Sequence, residues 1–147
     1  MPLPDPHPAS AMAVVGDWTY CSSILPWRSC GSRQPWVGAR HVDKAEACVA
    51  TLLGEITTKR LIWGGDWNHA LSGREWSGSI GGRAAITAAL DKLDLEVPTA
   101  SLPHQIEGLL SIDHIALPKG TGGDATAHSA LIEGGRHSDH DAYVVEI

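Results

Sequence analysis

The sequence predicts a mixed α/β (α+β) layered fold, with two helices on one face of a sheet. Three observations carry this. Two segments repeat apolar residues at spacings of three and four, as a helix that buries one side requires. Several shorter apolar runs are bounded by Gly, Pro or Asp, as strands are. The order is strand, helix, strand, helix, then strands alone, which places the helices on one side of a sheet.

MPLPDPHPAS, residues 1–10, reads as a proline-rich lead-in, disordered or extended. One domain covers residues 11–147, with no internal repeat. AMAVV (11–15) and residues 18–25 are strands, and Pro26 ends the second. WRSCGSRQPWVG is a loop. In residues 39–59, Val42, Ala45, Val49, Leu52, Leu53 and Ile56 mark the clearest helix. Residues 60–65 are a short buried strand, followed by the polar loop DWNHALSGREWSGSIGG. Ile86, Ala89, Leu90 and Leu93 give a second helix over 83–93. LEVP (95–98), LLSIDHIAL (109–117), ATAHSALIE (125–133) and AYVVEI (142–147) complete the strands. These strands are apolar on both sides, so the sheet face opposite the helices also needs a cover, and no further helix supplies one.

The chain's 147 residues, 43% hydrophobic and 19% charged, are those of an ordinary single globular domain. A formal charge of −6 speaks against a tight, non-specific nucleic-acid binder. It leaves room for a hydrolase that offsets phosphate charge with a bound cation. Cys21, Cys30 and Cys48 form no CxxC pair, so neither a zinc ribbon nor a disulfide framework is indicated. Reduced cysteines of a cytoplasmic protein are the expectation. The lead-in does not read as a secretory signal, and no apolar run approaches the ~20 residues of a membrane span.

Three polar stretches stand at strand ends. In GGDWN, Asp66 and Asn68 are two apart, so an extended backbone aims both to one side. Taken alone the pair serves equally as a capped turn. In SIDHI, Asp113 sits between apolar residues, where a carboxylate needs a partner or an exposed face. In RHSDHDAYVV, Asp139 and His140 precede the last strand, and a solvated hairpin loop is the plain alternative. His137, Asp139 and His140 could instead serve zinc, a weak pattern without further ligands at metal spacing.

GGDWN, SIDHI and HSDHD, in this order and each at a strand end, resemble the C-terminal half of the endonuclease/exonuclease/phosphatase superfamily. That family includes deoxyribonucleases, abasic-site endonucleases, sphingomyelinases and inositol-phosphate phosphatases. The resemblance covers about residues 11–147. It implies half of a four-layer α/β/β/α sandwich, with a mainly antiparallel mixed sheet and two helices on one face. It also implies a phosphoesterase that uses Mg²⁺ or Mn²⁺. Asp66 would orient or deprotonate the attacking water, and Asn68 would hold a phosphoryl oxygen. Asp139 would ligate the metal, His140 would contact the scissile phosphate, and Asp113 would orient His140 and raise its pKa. Where the family commonly carries a His or Tyr on the middle strand, this chain has YCSSILPWR, with Tyr20, Trp27 and Arg28 as stand-ins for a substrate contact and a solvated Arg28 as the plain alternative. The substrate, nucleic acid or a small or lipid phosphoester, is not specified.

Family domains run to roughly 250 residues, near the upper end of domain sizes. The half that supplies an Asn on the first strand and the principal metal-ligating Glu has no counterpart here. The expectation is therefore an N-terminally truncated form, with weak metal binding and an open sheet face able to self-associate. A non-catalytic remnant of the same fold is the alternative. The loop carrying Trp67, Arg74 and Trp76 should lie beside the site, its tryptophans packing the loop rather than stacking on bases.

Overall fold

The computed structural model describes residues 1–58 and 60–147. In chain order it holds β1 (Pro2–Leu3), β2 (Ser10–Val15), β3 (Trp18–Ser23), α1 (His41–Glu55), β4 (Leu61–Asp66) and α2 (Ile80–Lys92). After these come β5 (Leu95–Glu96), a 3₁₀ turn (Pro98–Ser101), β6 (Asp113–Pro118) and β7 (Asp124–His128). The chain ends with β8 (Leu131–Ile132), β9 (Gly135–Arg136) and β10 (Ala142–Glu146). Six strands form one sheet in the order β1-β2-β3-β4-β6-β5. Only β3 and β4 run parallel in it, with α1 in the connection, as a parallel pair requires. Two small ribbons, β7 with β10 and β8 with β9, stand apart from it. The α+β mixed sheet with two helices is the fold the sequence predicts.

The helices pack on each other and on one sheet face. Asp43 caps α1 by accepting the Arg40 N–H at 2.9 Å, and the helix buries Ala45, Cys48, Val49 and Leu52. Ser79 caps α2 by accepting the Gly82 N–H at 3.1 Å, which starts the helix three residues before the apolar spacing does. Trp63, fully buried, packs at a tilt of 40° against Trp67, with ring centres 4.4 Å apart, and donates to Ser23 Oγ at 2.8 Å. Large buried aromatics of this kind contribute on the order of 2–3 kcal/mol each.

Several boundaries move for local reasons. Within the lead-in, Pro2–Leu3 pairs with β2 and His7 is buried. The expected first helix ends at Glu55, and its expected last residue, Lys59, lies outside the described residues. LEVP yields two strand residues before Pro98 starts the 3₁₀ turn. The expected strand from 109 begins at Asp113, because Ser111 Oγ bonds the Asp113 backbone on both its N–H and C=O sides. The expected strand 125–133 breaks after His128, where Ala130 N–H turns to Asp141 and Ser129 Oγ takes Leu131 N–H.

Along β3, Thr19, Cys21 and Ser23 are buried toward the helices, while Tyr20 and Ser22 face away. On that other face the β7–β10 hairpin lies beside β6, held by the Tyr143 hydroxyl donating to Pro103 O at 3.0 Å. Elsewhere Val15, Tyr20 and Ile24 remain 62%, 41% and 47% exposed, so the hairpin covers only part of the open side.

Candidate active site

The two glycines before Asp66 have a steric cause. Gly65 has φ +134, and a Cβ on it would lie 2.1 Å from the Ser23 carbonyl oxygen. Only glycine lets β4 approach the end of β3 this closely. Just beyond, the Leu25 N–H donates to Asp66 O at 3.0 Å. Asp66 is thereby fixed at the rim, paired in register with Asp113 on antiparallel β6.

Behind the rim the loop turns inward. Asn68 has φ +52, and its backbone N–H donates to Asp66 Oδ1 at 3.0 Å, so acid and amide share one tight turn. Trp67 is fully buried between Trp63 and His114. Trp76 is half-buried against His104, donating to Leu110 O at 3.2 Å. Both tryptophans pack the loop.

His140 arrives from the other side, on the turn before β10. Its Nδ1 lies 2.8 Å from Asp113 Oδ2. A carboxylate accepts, so Nδ1 carries the hydrogen and Nε2 is left for a ligand. Asp66, Asp113 and His140 each offer one ligand atom, and these atoms lie within 4.8 Å of one another. This is a carboxylate–carboxylate–imidazole group able to hold a cation.

The electrostatics follow. Burial, and then the charge of Asp113 opposite, push Asp66 up to about 6. The hydrogen bond that His140 donates to Asp113 leads in raising His140 above its ordinary value, with help from the charges of Asp113, Asp66 and Asp139. At neutral pH the group therefore holds an ionised Asp66 beside an imidazole biased toward its cation. Asp141 is held below the usual carboxylate range by the Ala130 N–H and by Arg136, whose Nη2 lies 2.6 Å from its Oδ1. A cavity of about 230 Å³ lies against Asp66, Asp113, Ile115, Asp141 and Tyr143. A larger recess of about 360 Å³, between Ile56, Lys92, Asp94 and Pro118, sits at the opposite end of β6 and lacks such a group.

The remaining sequence candidates stand further off. Asp139 is exposed and outside the group of three, and its backbone carbonyl accepts from Gln105 Nε2. The zinc trio His137, Asp139 and His140 does not come together among the described residues. Tyr20 is mid-strand on the open face and does not line the cavity. Arg28 is tied to the site loop, its N–H donating to Ser77 O and its Nε to Gly78 O, each at 2.9 Å.

Sequence reasoning missed His114, Arg136, Asp141 and Tyr143. His114, 1% exposed, donates Nε2–H to His69 O at 2.9 Å, and burial lowers its pKa to about 4. It is a neutral back wall behind Asp113, and SIDHI shows it only as a polar residue in an apolar strand. Arg136 lies in a stretch that reads as solvated loop, so nothing in the sequence marked it. All three cysteines are buried free thiols, and no described helix is long and apolar enough to cross a membrane.

No family model and no curated protein match the sequence. Among solved structures, the chain is similar to the AP endonuclease LMAP from Leishmania major, with a TM-score of 0.50 at 11% identity. The likeness covers 94% of this chain and 54% of that one, so the chain spans about half the length of the endonuclease it matches. At this identity the likeness is one of fold alone.

Proposed function

We propose that the chain carries part of a divalent-metal-dependent phosphoesterase centre of the endonuclease/exonuclease/phosphatase type. The observation that carries the reading is the meeting of Asp66, Asp113 and His140 within 4.8 Å, from three stretches far apart in sequence. The two facing carboxylates, Asp66 and Asp113, suit a hard ion such as Mg²⁺ or Mn²⁺ with waters to complete the shell, while His140, held by Asp113, is kept for the substrate. Such an ion would neutralise charge on the non-bridging oxygens of the phosphoryl group.

The chain's own residues do the rest. Asp66 orients the attacking water and accepts its proton, a task suited to a carboxylate raised to about 6. Asn68 donates from its amide to a phosphoryl oxygen. Asp113 holds His140 by Nδ1, leaving Nε2–H of the imidazolium to meet the developing negative charge. Arg28 adds positive charge from the loop beside Asn68. Tyr20, remote from the group, is assigned to the open sheet face, through which the chain self-associates. Sedimentation tests that last point: a monomer at all concentrations removes it.

The substrate is a phosphoester. Nucleic-acid phosphodiesters are tested beside small and lipid phosphodiesters, because the chain is similar in fold to an AP endonuclease. Turnover is measured with Mg²⁺ or Mn²⁺ for the wild type, Asp66→Ala and His140→Ala. The reading expects activity in the wild type and loss in both variants. Equal rates in all three leave only a non-catalytic remnant of the fold, and tightly bound zinc in the purified protein counts against a hard-ion site.

A further inference from the structure

The loop between β4 and α2 contains a chain of contacts that ends on Asn68 and that the roles above do not use. It starts at Glu75, whose side chain is 2% exposed. Glu75 Oε1 accepts the backbone N–H of Ser77 at 3.2 Å and of Gly78 at 2.8 Å. Its Oε2 lies 3.4 Å from Arg83 Nε on α2, an ionic contact short of hydrogen-bond geometry. Arg83 Nη1 in turn donates to Gly73 O at 2.9 Å, so the helix holds the loop both at Gly73 and at Glu75.

From this anchored loop Ser77 Oγ donates to Asn68 Oδ1 at 3.3 Å. On its other side Asn68 Nδ2 donates to Leu25 O at 3.0 Å. A carbonyl can only accept, so the atom facing Leu25 is nitrogen, and the oxygen must face Ser77. The amide is thus held at both ends with one orientation. One Nδ2 hydrogen is left over, and it is the only amide hydrogen Asn68 can give a substrate. Asn68 is 8% exposed, which leaves the amide little room to turn once held.

We propose that Ser77, carried by Glu75, is a positioning residue that fixes the Asn68 amide so that its spare N–H is presented to the phosphoryl oxygen. This rests on the phosphoesterase reading and adds to it a residue that acts through another. Losing a single neutral hydrogen bond of this kind is expected to lower kcat about tenfold. KM should stay within about twofold, because the contact is used in the transition state more than in binding.

The experiment compares kcat and KM for Ser77→Ala, Ser77→Thr, Asn68→Ala and the Asn68→Ala/Ser77→Ala double variant. Ser77→Ala should show the tenfold loss, and Ser77→Thr, which keeps the hydroxyl, should restore the rate. In the Asn68→Ala background Ser77→Ala should cost nothing more. Unchanged kcat in Ser77→Ala, or the same further loss without Asn68, overturns the proposal. Glu75→Ala, which releases the N–H groups of Ser77 and Gly78, should fall to the Ser77→Ala level. A second readout needs no turnover: the side-chain NH₂ signals of Asn68 in a ¹⁵N-labelled sample. They should shift and exchange faster with water in Ser77→Ala, and identical signals also overturn the proposal. If wild type and Asp66→Ala are equally inert, the phosphoesterase reading is what fails, and the amide signals alone decide whether Ser77 holds Asn68.

Discussion

The candidate site joins a wall and an arm that are built differently. The wall is the β4–β6 pair inside the six-stranded sheet, with Asp66 opposite Asp113 and with Trp63, Trp67 and His114 buried behind it. The arm is the segment from β7 to β10, two small two-stranded ribbons with mostly exposed side chains, which delivers His140. What holds the arm is polar: Arg136 to Asp141, Ala130 N–H to Asp141, the Tyr143 hydroxyl to Pro103 and His140 to Asp113. Stability therefore lives in the wall, and placement of the imidazole lives in the arm. Substitutions in the two regions should fail in different ways.

The largest expected effect is chemical and sits in the wall. Asp66→Ala should lower turnover about a thousandfold, as loss of a general base does. Because it removes a partly buried charge, urea unfolding should show no loss of stability. Gly65→Ala should do the reverse, costing about 3 kcal/mol or more by the same unfolding measurement. Its Cβ would lie 2.1 Å from the Ser23 carbonyl oxygen, and alanine rarely adopts φ +134. A Gly65→Ala protein as stable as the wild type would remove the steric account of the glycine pair.

Acid should also act on the wall. His114 has its pKa lowered to about 4 by burial. Its contribution is fully present above the unfolded value near 6.5, and it is lost as pH falls toward 4, by about 3 kcal/mol in all. Asp66, raised to about 6, works in the opposite sense, favouring the fold at low pH and ceasing to do so as pH rises through that value. The His114 effect is therefore read as a difference: unfolding free energy at pH 7 and pH 4 for wild type and His114→Gln. Equal pH dependence in the two proteins would contradict it.

The smallest effect on stability belongs to the arm. Arg136→Ala removes the contact to Asp141 and the bond from its Nε to Ser138 O. The cost to unfolding should stay within about 1 kcal/mol, because the pair joins residues five apart in one short segment that is still reached by water. Turnover should still fall about tenfold, because the turn carrying His140 loosens. If unfolding shifted more than activity, the division between wall and arm would be wrong.

The sequence shows this division unevenly. Wall elements are legible because burial imposes a pattern: spacings of three and four in α1, and an apolar run ending in GGD in β4. Asp113 is legible because a carboxylate between isoleucines calls for a partner, and His140 lies 2.8 Å away. What the sequence hides depends on contacts between distant residues. Ser77 on Asn68, Arg136 on Asp141 and the buried neutral state of His114 have no periodicity to announce them. The same holds for Asp139, whose place beside His140 in sequence does not bring it into the group of three. Strand ends went astray wherever a side chain captured the backbone, as Ser111 does before Asp113.

The proposed function requires wall and arm to act as one hydrolytic unit through Asp113 and His140. The most direct measurement is turnover of Asp113→Asn, His140→Ala and the double variant, with the same metal and substrate. One unit predicts that each single variant loses most of the activity and that the double is no slower than the slower single. Losses that multiply, or a single variant as fast as the wild type, would contradict it.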